Sequence, residues 1–272
     1  MEAPGPVRCR EVTSARDSPT AGEGWPAGLI DRVRLAHLFL TRIRLGASGE
    51  VTPARFARAV VVFPLVGVTV GIVGGAARLL ADPLGAAFAS IAAVAATVVT
   101  TGALHEDGLA DTADAFGPYD RERRLAAMRD SRLGTFGVLA LVITIAARVS
   151  LLSQLALRDC VLALIAGHVL ARWSTLPLAA GCPPARGDGS ATLARISTRQ
   201  AAVGSVLAAA LAVPALVAVR PASAIGLAVV AAVTAACAVL WRRAFGGVTG
   251  DTYGATNQLV EIATLATVAA VA

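Results

Sequence analysis

Lysine is absent. All 24 basic residues of the 272-residue chain are arginine, against 18 acids, for a formal net charge of +6. That charge sits on a planar fork that matches phosphate and carboxylate oxygens and never deprotonates at working pH. A lysine-free, alanine-rich composition is equally what a codon bias produces. Aromatic residues are scarce, at 4%, and no basic stripe is interleaved with them, so the high isoelectric point does not read as nucleic-acid binding. The four cysteines, Cys9, Cys160, Cys182 and Cys237, show no CxxC or Cys/His spacing. They read as small apolar fillers, which excludes a disulfide framework and a zinc centre. Residues 1–28 mix Pro, Gly, Ser and charge without a short apolar core, so they read as a disordered N-terminal extension and not as a signal peptide.

What the chain has in abundance is apolar sequence, 56% of residues, with a mean hydropathy of +0.69. Apolar runs of about 20 residues, enough to cross a roughly 30 Å hydrocarbon core, begin near Ala59, Leu84, Gly134, Cys160, Ala201, Ala224 and Ala255. The expected fold is all-α: a polytopic membrane bundle of six or seven transmembrane helices occupying residues 29–272, the last span being the weakest. "LIDRVRLAHLFLTRIRL" interleaves arginines with apolar residues near helical spacing. It predicts an amphipathic helix, either at the membrane surface or packed on the bundle. Pro64, Pro177 and Pro214 fall where helices are expected and predict kinks.

Arginine placement orients the bundle. Nine arginines precede residue 59, five lie in 105–132, three in 182–200 and two in 241–254, while the other short loops hold about one each. An excess of arginine marks cytoplasmic loops, so those loops are expected at the cytoplasmic side of an inner membrane.

The same loops hold the chemistry. "TGALHEDGLADTADAFG" sets Glu106, Asp107, Asp111 and Asp114 within nine residues, beside His105 and directly after an uncharged span. Asp107, Asp111 and Asp114 are spaced i, i+4 and i+7, which puts them on one helical stripe. Like charges so placed repel unless a cation lies between them, and Mg²⁺ takes one or two carboxylates together with phosphate oxygens. The competing reading is a solvated helix start capped by Thr101 or Asp107. Downstream, "RERRLAAMRDSRLGTFG" offers Arg129, Asp130, Ser131 and Arg132 before the next span, with glycines whose N–H groups can approach an anion. Arg121, Arg123 and Arg124 read as orienting charges. "WRRAFGGVTGDTYGATNQLVE" places Gly250 and Asp251 in a glycine-dense turn opening a helix, a setting suited to phosphate. Glu261 is an intramembrane acid. His168 and Arg172 share a helix face, Arg186 follows in a Pro/Gly turn, and His37 has no partner in the sequence.

"LHEDGLADTADAFG", "MRDSRLGTFGVLAL", "ARWSTLPL…PPARGDG" and "GGVTGDTYGATNQLVE", in this order and membrane context, resemble the cobalamin synthase, or adenosylcobinamide-GDP ribazoletransferase, family over roughly residues 35–272. The N-terminal 30 residues have no counterpart in that pattern. The resemblance implies an inner-membrane enzyme that joins adenosylcobinamide-GDP to α-ribazole, or its 5′-phosphate, with Mg²⁺, releasing GMP and closing the nucleotide loop of vitamin B12. It leaves the site roles as expectations. Asp107, Asp111, Asp114, Glu106 and Asp130 are candidate metal ligands. Asp114, His105 and Asp111 are candidate catalytic groups, with Asp114 the first choice of base. Arg129, Arg132, Ser131, Asp251, Gly250, Arg172 and Arg186 are candidate substrate contacts. The aspartate spacing is also similar to CDP-alcohol phosphotransferases, but the Ala-Arg of their "DGxxAR" pattern is replaced here by Asp111 and Thr112. An ion-coupled transporter would instead carry mid-span acids and inverted repeats.

Overall fold

A computed structural model describes residues 25–46, 49–130 and 132–272. The expected disorder of the N-terminal extension falls mostly outside these, and its last four residues already belong to the first helix. Among the described residues there are twelve α-helices and no strand: α1 Trp25–Leu40, α2 Pro53–Val60, α3 Phe63–Ala81, α4 Ala86–Thr101, α5 Leu104–Asp114, α6 Arg121–Ala127, α7 Thr135–Ser153, α8 Leu157–Gly181, α9 Ser190–Leu193, α10 Thr198–Val219, α11 Gly226–Phe245 and α12 Gly250–Val271.

Five segments are long and apolar enough to cross a membrane: Phe63–Leu84, Thr135–Ser153, Leu157–Gly181, Thr198–Val219 and Pro221–Phe245. α4 and α5 make a sixth if taken as one broken span, bent by 89°. The chain is thus an all-α, multi-pass membrane protein. The seventh expected span, α12, has 22 residues and so spans about 33 Å at 1.5 Å per residue. It is not among the apolar segments because Thr252, Thr256, Asn257, Gln258, Glu261 and Thr264 are all buried along it. Its neighbours α5, α8 and α11 cover it, so its polar side chains find protein partners in place of lipid.

α8 is the axis of the bundle, packed by α3, α10 and α12. α3 approaches it across glycine: a Cβ on Gly71 would stand 2.6 Å from the Ile165 Cα, so only a bare backbone lets the helices cross at this distance. Pro177 and Pro214 lie inside α8 and α10 as expected, whereas Pro64 occupies the first turn of α3, where its missing N–H is no loss. α1 packs on α2 and α3, burying Leu35, Ala36 and Leu40. Asp31 on α1 receives the Arg55 fork from α2 at 2.5 and 2.9 Å. His37, which had no partner in sequence, meets the Thr69 hydroxyl of α3 at 3.0 Å. The helix thus packs on the bundle, as one of the two expectations for it had it.

Replacing Gly71 by alanine is expected to destabilise the protein by about 1–3 kcal/mol through overpacking. Gly181→Ala, where a Cβ meets nothing within 4 Å, should stay within about 0.5 kcal/mol. Thermal unfolding of the detergent-solubilised variants checks the contrast.

Candidate active site

The acidic motif is aimed by a corner. α4 ends at Gly102, φ +66°, and Ala103 follows at φ +60°, the single non-glycine residue of positive φ among the described residues. Two successive left-handed residues turn the chain by 89°, so α5 leaves the direction of α4 and packs against α12 and α7. α5 has no side-chain N-cap. Glu106 and Asp107 instead sit in its first turn, where the helix dipole favours acids.

Glycine then presses α5 onto α12. A Cβ on Gly108 would lie 2.8 Å from the Asp251 carbonyl oxygen, and one on Gly254 would lie 3.2 Å from that of His105. Asp107 and Asp111 of α5 are thereby brought beside Asp251 of α12. Burial first, then the charges of Asp107, Asp251 and Asp114, push the Asp111 carboxyl up to about 6, with Arg186 opposing. Arg186 donates to Asp251 at 2.9 Å, and the Thr249 hydroxyl reaches the same oxygen at 3.2 Å. Asp107 and Asp251 border a cleft of about 750 Å³, its open mouth included, that is also lined by Phe39, Phe56, Phe63, Leu104, His105, Gly250 and Asn257. A polar annex of about 500 Å³ continues from it past Ser190 and Gly250 to Arg186, Asp188 and Thr249. The N-terminus of α12 opens at Gly250, a natural anion seat.

The arginine-rich loops interlock at this end. Arg121 donates to the carbonyls of Phe245 at 2.7 Å and Ala185 at 3.2 Å, so it staples loops as well as orienting them. Pro184 bridges Val248, and Arg129 pairs with Asp188 at 2.7 Å.

Several expected site residues stand elsewhere. Asp114 is the anion that the glycines of "RLGTFG" approach: its two oxygens accept the N–H groups of Gly134 at 2.7 Å and Gly137 at 2.8 Å. Its carboxylate caps α7 and ties the two motifs together, with one lone pair of each oxygen engaged in doing so. Asp130 lies exposed under the Arg132 guanidinium, at 2.6 Å, which with the Arg132 backbone N–H holds its carboxyl down to about 2. Both Asp130 and Arg132 lie off the cleft, and Ser131 is outside the described residues. Arg172 is buried and donates to His168 Nδ1 at 2.8 Å.

Glu106 faces inward. It meets Arg148 of α7, a residue with no counterpart among the expected ones, at 2.9 Å. Arg148 also donates to Gln258 at 3.2 Å and Thr97 at 3.1 Å. Its Nε stands 2.9 Å from Glu261 Oε1, an ion-pair distance whose angle makes no hydrogen bond. Arg148 interrupts the apolar stretch "LVITIAARVSLLS", and that lone charge was the available signal.

A family model for cobalamin-5-phosphate synthase matches residues 32–269. The chain belongs to this family. It is 43% identical over 230 residues to the adenosylcobinamide-GDP ribazoletransferase of Azorhizobium caulinodans, covering 80% of this chain and 86% of that protein. It is 40% identical over 250 residues to that of Bradyrhizobium diazoefficiens, covering 89% and 94%, and 38% identical over 245 residues to that of Mesorhizobium japonicum, covering 88% and 93%. No solved structure matches the chain.

Asp114→Asn keeps the shape but turns one acceptor of a backbone N–H into a donor. It is expected to lower stability by about 1–3 kcal/mol, read as a fall in thermal midpoint. Loss of activity at an unchanged midpoint would contradict the capping role.

Proposed function

We propose that this cobalamin-synthase family member is itself an adenosylcobinamide-GDP ribazoletransferase. On this reading it transfers adenosylcobinamide phosphate from its GDP conjugate to α-ribazole, or the 5′-phosphate of that nucleoside, and releases GMP. The observation that carries the reading is the pairing of Arg186 with Asp251 at the N-terminus of α12, within electrostatic reach of Asp111 and, through it, Asp107. Such a place suits a diphosphate and its counter-ion.

The fit to Mg²⁺ is partial in an informative way. Among the described residues no three His, Cys, Asp or Glu side chains converge as a ready metal nest, so the protein does not offer a closed cage. Asp107, Asp111 and Asp251 suit a cation that completes its shell with phosphate oxygens and water, the usual habit of Mg²⁺. Bound there, the ion would offset charge on the diphosphate and on departing GMP.

The remaining work belongs to the chain. Arg186 and the α12 N-terminus hold phosphate oxygens. A ribose hydroxyl of the acceptor attacks the phosphorus carrying cobinamide. The new O–P bond forms as the bridging P–O bond breaks, and the electron pair leaves on GMP. His105 borders the cleft next to Asp107, and we assign it the hydroxyl proton, since the oxygens of Asp114 are engaged by α7. The arginine-rich loops at this end favour the cytoplasmic face of an inner membrane.

Purified protein given adenosylcobinamide-GDP, α-ribazole and Mg²⁺ is expected to yield GMP and a cobalamin; folded wild type that yields neither would overturn the reading. Asp111→Asn should cut turnover by at least about 100-fold, the scale of losing one electrostatic group. It should leave the metal-free protein at least as stable, because it removes a repelling charge. Near-normal turnover in this variant would remove Asp111 from the site.

A further inference from the structure

The apolar half of the cleft carries features that the phosphate chemistry does not use. Only seven phenylalanines occur in the chain, and three of them pack together at the cleft wall, one from each of α1, α2 and α3. Phe39 and Phe56 meet edge to face at 4.8 Å, Phe56 and Phe63 at 6.3 Å, and Phe39 lies nearly parallel to Phe63 at 6.1 Å. Phe56 and Phe63 are buried, and Phe39 is 37% exposed.

Two residues of the cleft lining each carry a buried, unpaired polar atom. Asn257 is 2% exposed. Its amide nitrogen donates to the Tyr253 carbonyl at 2.9 Å and to the Thr175 hydroxyl at 3.2 Å, and the carbonyl, an obligate acceptor, fixes which end of the amide is nitrogen. The Asn257 Oδ1 atom is therefore the free end, and it has no partner. The Tyr253 hydroxyl has none either. Both residues line the cleft. A buried acceptor and a buried donor left unmatched are costly, and a ligand that supplies their counterparts recovers that cost.

We propose that this recess seats the heteroaromatic base and ribose of the acceptor nucleoside, with the guanine-bearing half of the other substrate directed to the annex beside Arg186 and Ser190. The assignment rests on the transferase reading. A benzimidazole base is a flat apolar bicycle with a single free ring nitrogen, an acceptor that pairs with one hydroxyl donor. Tyr253 is that donor, and Asn257 Oδ1 takes a ribose hydroxyl. Guanine carries several donors and acceptors on its edge, more than the two unpaired groups beside the phenylalanines can match. The annex, lined by Arg186, Asp188, Ser190 and Thr249, has polar groups in number.

The test measures equilibrium binding of α-ribazole, of its indole analogue (the free ring nitrogen replaced by C–H) and of GMP to the purified full-length protein, beside turnover. Tyr253→Phe is expected to weaken α-ribazole about tenfold, the size of one hydrogen bond, while binding of the indole analogue and GMP stays within about twofold. A merely structural role for Tyr253 would move both nucleosides together, and that result overturns the proposal. So does a tenfold loss of GMP binding with α-ribazole unchanged. Phe39→Ala, at the partly exposed rim, should weaken both nucleosides and spare GMP; loss of GMP binding alone would count against the recess. The two readings fail separately. Wild type that binds α-ribazole as described but makes no product overturns the transfer reaction and leaves the recess standing. Wild type that turns over while both variants keep a normal KM for α-ribazole overturns the recess alone.

Discussion

The arrangement of the site depends on one buried guanidinium. Arg148 is 1% exposed and touches Thr97 on α4, Glu106 on α5, and Gln258 and Glu261 on α12, so a single side chain of α7 joins four helices. An unpaired charge at this depth would cost several kcal/mol, and the opposite charges of Glu106 and Glu261, with hydrogen bonds to Gln258 and Thr97, offset that cost. That makes the geometry exacting. If α5 rolls, Glu106 leaves Arg148 and each is stranded. Successive residues on a helix differ by about 100° in direction, so fixing Glu106 toward the interior fixes Asp107 away from it, toward the cleft. The hub thereby sets the aim of the acidic face while taking no part in it.

A second anchor works from the other end of α5. Asp114 accepts N–H groups of Gly134 and Gly137, the unpaired donors at the start of α7. Both ends of α5 are consequently tied to the same helix, at its start through Asp114 and farther along it through Arg148. Between the anchors stand Asp107 and Asp111, and the charges acting on Asp111 are those of Asp107, Asp251 and Asp114 with Arg186 opposing. The four carboxylates that looked equivalent thus divide into two that hold the frame and two that remain available for chemistry.

That division was not legible in the sequence, whereas the existence of the site was. Spacing revealed an acidic stripe, and hydropathy revealed the spans, because both are local properties of consecutive residues. Which acids are free is settled by partners 20, 23 and 42 residues away, for Asp114 and Glu106 respectively, and no periodicity reports those. Arg148 escaped notice since one charge inside an apolar run changes its mean hydropathy little. α12 read as the weakest span for the opposite reason: hydropathy measures fitness for lipid, and a helix enclosed by its neighbours is released from that requirement. Asp251 was recognisable through its glycine-dense turn, but its closeness to Asp111 depends on Gly108 and Gly254, two bare contacts on helices more than a hundred residues apart.

The balance of charge gives the final constraint on what the cleft can do. Inside the bundle, Glu106 and Glu261 are matched by Arg148 and Arg172, so the buried acids form a neutral set with no demand for a travelling ion. At the cleft, Asp107, Asp111 and Asp251 face Arg186 alone among the charges acting directly there, leaving two negative charges uncompensated when all three acids are ionised. Burial, and after it the repulsion of neighbouring acids, holds Asp111 up to about 6, a sign that the nearby arginine does not neutralise this group. A diphosphate by itself would add to the repulsion; a diphosphate arriving with a divalent cation removes it. On the proposed reading the site is therefore poorly matched to either component alone and better matched to the pair, the electrostatic requirement of displacing a nucleotide from a phosphate bridge.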